Sequence, residues 1–230
     1  MQITNNKNQH YELMGVIFDM DGLIYDSERM FFRHKREVMK EYGYTETEEN
    51  YSKTLGLTGE TLKQTVLSLY GEDYPYFEIS QKARKVMMKT IKKEGLPIKS
   101  GIVPLLQFLN SHELPCAIAS STHIEYIKEY LSATGLSSYF QAVIGGDMIT
   151  NSKPAPDIFL EAARQLNCEP KHCLVLEDSE NGILAAHRAG IPVIGIPDMK
   201  YPAPEYIDMT FDLLESAENI LTMLTDSSSD

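Results

Sequence analysis

Leu13-Met14-Gly15-Val16-Ile17-Phe18-Asp19-Met20-Asp21-Gly22 is the stretch that decides the fold. The apolar run is too short for a helix, has no polar face, and stops abruptly at two aspartates. It predicts a strand buried on both sides, as in the interior of a parallel sheet. Similar runs follow at Cys116–Ala119, Ala142–Ile144, Cys173–Leu176 and Val193–Ile196, with a weaker one at Met209–Phe211. Amphipathic helical stretches alternate with them: Ile102–Asn110, Ile124–Ala133, Pro156–Leu166 and Asn181–Ala189. Strand and helix in alternation predict the α/β class, a mostly parallel sheet with helices on both faces.

One segment breaks the alternation. From Ser27 to Glu94 no buried strand is apparent, only charge-rich helical sequence in which Phe31, His34, Val38 and Met39, then Leu62, Val66, Leu67 and Leu69, fall at near-helical spacing. A connection of about 70 residues is far longer than an ordinary crossover. It predicts a helical domain at 27–96 inserted after the first strand, with hinges near Tyr25–Ser27 and Gly95–Ser100. The core domain is then 1–26 plus 97–230, with a disordered tail at 226–230. The alternative is that these helices simply flank the sheet.

Composition bounds the partners. The 230 residues carry 21 Lys+Arg against 33 Asp+Glu, a net charge of −12. Nucleic-acid binding through phosphate contacts needs the opposite balance. No run approaches the length of a membrane span, and the polar N-terminal residues contain no apolar signal region, so no membrane partner is expected. Three cysteines without Cys-x-x-Cys spacing argue against a disulfide framework or structural zinc, and a cytoplasmic location is expected. No large apolar surface is evident, so a monomer is expected.

In open parallel sheets ligands bind beyond the carboxyl ends of the strands. Asp19 and Asp21 follow the first strand, and residues two apart in an extended segment project to the same side. Two carboxylates that close need a cation or a shared proton. Ser120-Ser121-Thr122 follows the second strand at the start of a helix, where free backbone N–H groups attract anions. Gly145-Gly146-Asp147 and then Lys153 follow the third, and Glu177-Asp178 the fourth. Singly, each has an ordinary explanation: aspartates close turns, Ser120 or Thr122 would cap a helix, Lys153 would be solvated, and Glu177 would favour a helix start. Their joint placement at successive strand ends points to a phosphoryl site, and hard oxygen donors without clustered Cys or His suit Mg²⁺.

Asp19-Met20-Asp21-Gly22-Leu23-Ile24-Tyr25-Asp26-Ser27-Glu28 resembles the first motif of the haloacid dehalogenase superfamily. Ser120 stands where its second motif does, Lys153-Pro154-Ala155-Pro156-Asp157 resembles the third, and Leu176-Glu177-Asp178-Ser179-x-Asn181-Gly182 the fourth. The resemblance covers about residues 13–225 and is nearest to the β-phosphoglucomutase-like phosphatases. It implies a Rossmann-like core with an α-helical C1-type cap. It further implies that Asp19 is the nucleophile and Asp21 the general acid and base. Ser120, Ser121 and Lys153 would bind the phosphoryl group. Mg²⁺ would be held by Asp19, Asp21 through its carbonyl, Asp178, and Glu177 as a further acid. The function implied is hydrolysis of a small phosphorylated metabolite, a sugar phosphate, through an aspartyl-phosphate.

Leu55-Gly56-Leu57-Thr58-Gly59-Glu60 resembles the cap loop that sets specificity, so Gly56 and Gly59 are candidate substrate contacts; Lys82 or Arg84 is a candidate to reach in from a cap helix, with a solvated face the favoured alternative. Mutases of the family have an arginine where this chain has Gly59, and a histidine where it has Phe31. Both departures favour the phosphatase over phosphoglucomutase-type transfer. A receiver-like module, in which a phospho-aspartate persists as a signal, is the alternative from another class; Asp21 and the insert argue against it.

Overall fold

The computed structural model describes residues 1–5, 9–57 and 59–226. Strands β1 (Gln2–Thr4) and β2 (His10–Glu12) form a small antiparallel pair that the polar N-terminal sequence does not announce. The Tyr11 hydroxyl fixes it to the main sheet by donating to the Cys173 carbonyl at 2.7 Å. That sheet comprises β3 (Gly15–Phe18), β4 (Cys116–Ser120), β5 (Ala142–Gly145), β6 (Cys173–Glu177), β7 (Val193–Gly195) and β8 (Asp212–Leu213). All six strands are parallel, in the order β5-β4-β3-β6-β7-β8. The chain steps outward from β3 to β5, then returns to lay β6 on the other flank of β3. Beyond the carboxyl ends of the central strands that reversal leaves the crevice in which such sheets bind ligands.

Burial on both sheet faces explains the continuous apolar runs. Val16, Phe18, Leu174 and Leu176 enter one core, while Ile17 and Val175, one residue out of phase, enter the other. Between β3 and β4 the chain forms α1 (Ser27–Glu41), α2 (Glu48–Ser52), α3 (Gly59–Tyr70), α4 (Tyr76–Glu94) and then α5 (Ile102–Ser111). Helix α5, with α6 (Ile124–Thr134), covers the first face through Leu105, Leu109, Ile127 and Tyr130. Helices α7 (Asp157–Gln165) and α8 (Glu180–Arg188) cover the second through Phe159, Ala162, Ile183 and Ala186. The short α9 (Pro204–Ile207) precedes β8, and α10 (Ala217–Asp226) returns to α5.

One expectation about the C-terminal part needs correction. The strand expected at Met209–Phe211 lies instead at Asp212–Leu213, because Met209 and Thr210 close the turn of α9 through N–H bonds to Tyr206 and Ile207. Of the expected disordered tail, Asp226 ends α10, and 227–230 lie outside the described residues.

Helices α1, α3 and α4 share a hydrophobic cluster of their own, built on Val38, Met39, Val66, Ile79 and Ala83. A buried Lys35–Glu46 ion pair of 2.6 Å lies in the same helical segment. The chain enters and leaves it at adjacent points: Tyr25 bridges Ile98 antiparallel, the Asp26 N–H donates to the Pro97 carbonyl at 3.0 Å, and the Lys99 N–H donates to the Ile24 carbonyl at 2.9 Å. No helix among the described residues is long and apolar enough to cross a membrane.

Candidate active site

Residues of α1–α4 and of the strand ends together border a cavity of about 1270 Å³, and of the residues singled out from the sequence Lys82 and the turn Gly145-Gly146-Asp147 do not line it. At its floor β3 hands Asp19 directly to β6: the Asp19 N–H donates to the Leu176 carbonyl at 2.9 Å, which brings Asp19 beside Glu177. Lys153 reaches in from the segment before α7. Its ammonium donates to Asp19 Oδ1 at 2.6 Å, to Glu177 Oε2 at 2.8 Å and to the Ala119 carbonyl at 3.1 Å, and lies 4.7 Å above the Phe159 ring. The lysine that would be solvated on its own is almost wholly buried.

Glu177 is held from its other oxygen. Oε1 accepts from the Asp178 and Ser179 N–H groups at 3.1 and 3.0 Å and from the Ser179 hydroxyl at 2.8 Å, while Ser179 in turn caps α8. The carboxylate lies so close to Gly182 that a Cβ there would sit 1.9 Å from it, so only glycine fits that helix position. Glu177 is thereby fixed as the anchor of Lys153.

Asp21 faces a different set of groups. Its Oδ1 accepts from the Ser27 hydroxyl at 2.6 Å, and its Oδ2 from Thr122 at 2.7 Å and Ser120 at 3.3 Å. Thr122 thus completes the hydroxyl cluster, but the cluster lies ahead of the helix start. The first N–H of α6, Ile124, already donates to Asp147 at 2.8 Å, so that helix terminus is occupied by a carboxylate of the chain itself.

The electrostatics follow from crowding acids in a dry floor. Burial pushes Asp19 up to about 8 against the pull of the Lys153 ammonium, with Glu177 and Asp21 adding to the rise. Burial and the neighbouring Glu177 and Asp19 raise Asp178 well above the carboxylate range. For Glu177, burial is outweighed by Lys153 and by the bonds from Ser179 and Asp178, and its net shift is downward. Lys153 is raised, Asp19 and Glu177 overcoming the effect of burial. A divalent cation among these acids would favour their charged forms. Asp19, Glu177 and Asp178 each offer a carboxylate oxygen, all within 4.8 Å of one another, and this all-oxygen set fits a hard cation such as Mg²⁺.

In the upper part of the cavity the two candidate cations of α4 part company. Lys82 bonds to Glu41 at 2.6 Å on the exposed side of α4 and does not line the cavity. Two positions on, half a helical turn away, Arg84 does, its guanidinium stacked over Phe31 and Tyr126 at 5.4 and 5.1 Å. The Gly56 carbonyl accepts from Asn181 at 2.6 Å, tying the loop to the start of α8, and Gly59 opens α3. Thr58 lies outside the described residues.

Sequence reasoning missed Glu28 and Asp198. Glu28 accepts from the Tyr51 hydroxyl at 2.6 Å, and burial with the charge of Asp21 pushes its carboxyl up to about 7 against that bond. A carboxyl raised in the folded state destabilises once the unfolded chain can ionise. The metal-free protein is therefore expected to lose about 3 kcal/mol between pH 4.5 and about 7 on account of this group, then to level off. Urea unfolding across that range checks it, and Glu28→Gln is expected to remove this contribution.

Residues 16–196 match the family model described as haloacid dehalogenase-like hydrolase. A phosphorylated carbohydrates phosphatase of Thermotoga maritima is 32% identical over 76% of this chain and 81% of its own length. Hexitol phosphatase B of Escherichia coli is 29% identical over 93% and 95%. The fold is shared with beta-phosphoglucomutase from Clostridium difficile, with a TM-score of 0.76 at 20% identity over 95% of this chain and all of that one. With four motifs gathered at the ends of a parallel sheet and a family match across most of its length, the chain belongs to the haloacid dehalogenase-like hydrolases.

Proposed function

We propose that this protein is a Mg²⁺-dependent phosphatase that hydrolyses a small phosphorylated metabolite, a sugar phosphate, by way of a phosphorylated Asp19. The observation that carries the reading is the buried Asp19–Lys153–Glu177 array at the floor of a cavity walled by α1–α4. The similarity to phosphatases of phosphorylated carbohydrates and hexitols supports the substrate class.

Asp19 and Asp178 would hold Mg²⁺, which neutralises charge on the phosphoryl oxygens and on the attacking carboxylate. An Asp19 oxygen attacks phosphorus, and the bond from phosphorus to the substrate's alcohol oxygen breaks as the new one forms. Asp21 gives that oxygen its proton. Asp21 then takes a proton from the water that attacks the phosphorylated Asp19, releasing phosphate and restoring the carboxylate. Ser27, Ser120 and Thr122 hold Asp21 in place for both transfers. Lys153, anchored by Glu177, keeps a fixed positive charge beside the reacting oxygens. Ser120 and Ser121 line the phosphoryl pocket. The helical segment 27–96 acts as the cap, excluding water and contacting the non-reacting part of the substrate through Arg84, Gly56 and Gly59.

Free-phosphate release across a panel of sugar phosphates, nucleotides and phosphonates tests this. Release from sugar phosphates that needs Mg²⁺ and no bisphosphate primer is expected. Phosphoryl transfer between sugar positions without free phosphate, or a phospho-Asp19 that persists for hours, would overturn it in favour of a mutase or a receiver-like module.

A further inference from the structure

Asp198 belongs to none of the four motifs. It follows β7 in the turn Pro197-Asp198-Met199, and its side chain is only 2% exposed. The use of its two oxygens is lopsided. Oδ1 accepts from both Arg29 Nη1 and Lys99 Nζ, each at 2.5 Å, whereas Oδ2 is buried with no hydrogen-bond partner. An arginine beside a carboxylate ordinarily engages both oxygens in a fork, so a carboxylate kept only to anchor the two cations would not leave one oxygen bare. A buried acceptor without a donor calls for an explanation.

The direction of Oδ2 supplies one. A Cβ at Gly22 would stand 3.4 Å from Asp198 Oδ2 and 2.3 Å from Asp178 Oδ2. The two oxygens therefore border the same small space, which glycine keeps open. Asp198 is not one of the acids whose oxygens lie mutually within 4.8 Å, so it is too remote for direct ligation alongside them. Mg²⁺ bound by few carboxylates retains several waters, each of which must donate its protons to something. We infer that Asp198 is a positioning residue of the cation site, its free Oδ2 accepting a hydrogen bond from water carried by the cation on Asp178. The inference rests on the cation site proposed above. Arg29 and Lys99 fix the carboxylate by Oδ1 and so aim Oδ2 into the gap.

Calorimetric titration of Mg²⁺ into the full chain stripped of metal tests this without turnover. Asp198→Asn keeps an oxygen for the two cations and turns an N–H₂ donor towards the gap. Mg²⁺ affinity is expected to fall about 10- to 100-fold. The variant also removes a negative charge, so the double variant Arg29→Gln/Asp198→Asn, which restores the local net charge, is measured beside it. It is expected to remain weakened. Should the single variant not fold, as judged by melting without metal, the double variant with its better-matched charges carries the comparison. Affinity within about 2-fold of wild type in Asp198→Asn, or its full recovery in the double variant, would overturn the inference. Wild-type protein that binds no Mg²⁺ would instead overturn the cation site on which it rests.

Discussion

Asp19→Asn is expected to lower phosphate release by about 10,000-fold or more while leaving the fold intact. The amide keeps the shape of the carboxylate and an oxygen for the Lys153 ammonium, but its nitrogen and carbonyl oxygen cannot form the acyl phosphate. Stability is expected to hold because the native carboxylate is itself ill at ease. In the metal-free protein burial pushes it up to about 8, so a neutral side chain loses little there. Steady-state phosphate release together with melting temperature separates the two effects. A correctly folded Asp19→Asn protein with full activity would sink the proposed chemistry altogether.

Lys153→Met is expected to damage both activity and stability. The methionine fills the volume of the lysine stem, so the loss isolates the charge. Asp19 and Glu177 are then left buried without their cation, which costs about 3–5 kcal/mol where both are ionised. The sign of the pH dependence follows from Glu177. Its carboxyl is lowered in the folded protein, so the stability it contributes is fully present above the unfolded value of 4.5 and is lost as pH falls through the lower, folded value. Without Lys153 that contribution vanishes and the acids gain by taking protons. The gap between wild type and variant is therefore expected to be widest near neutral pH and to narrow on acidification. Denaturant unfolding of the metal-free proteins at about pH 7 and about pH 4 measures it. An unchanged gap would mean that packing over Phe159, not charge, is what the lysine supplies.

How much of this was readable beforehand depends on the range of the physical signal. The strand Gly15–Phe18 is legible because burial on both faces leaves nothing polar until Asp19, and the same logic locates the residues after β4 and β6. The parallel sheet then brings Asp19, Ser120 and Glu177 together without further information. Lys153 is different, since its own sequence neighbourhood is that of a surface loop, and only its place after the third strand and the motif resemblance mark it. The hairpin of β1 and β2 is illegible because its strands are polar and are held from outside, by Tyr11 against Cys173. Asp198 is illegible for a related reason: its partners Arg29 and Lys99 lie 169 and 99 residues away in the chain, and no spacing rule connects them. Lys82 and Arg84 show the limit within one helix, where helical character is evident from sequence but which face meets the cavity is set by how α4 packs on α1.

The paired crossing at Tyr25 and Ile98 bears on how such a protein diversifies. Because the inserted segment departs and returns through neighbouring hydrogen bonds, the sheet meets its two ends side by side, whatever the length of chain between them. The entropy of closing a loop grows only slowly with its length, so inserts of quite different size impose nearly the same burden on the core. On the proposed reading, mutation and exchange in the segment beyond Arg29 can therefore redraw what the cavity recognises while the acids, lysine and hydroxyls at the strand ends stay untouched. On that reading substrate preference and chemical step would sit on largely separate, separately heritable stretches of one chain.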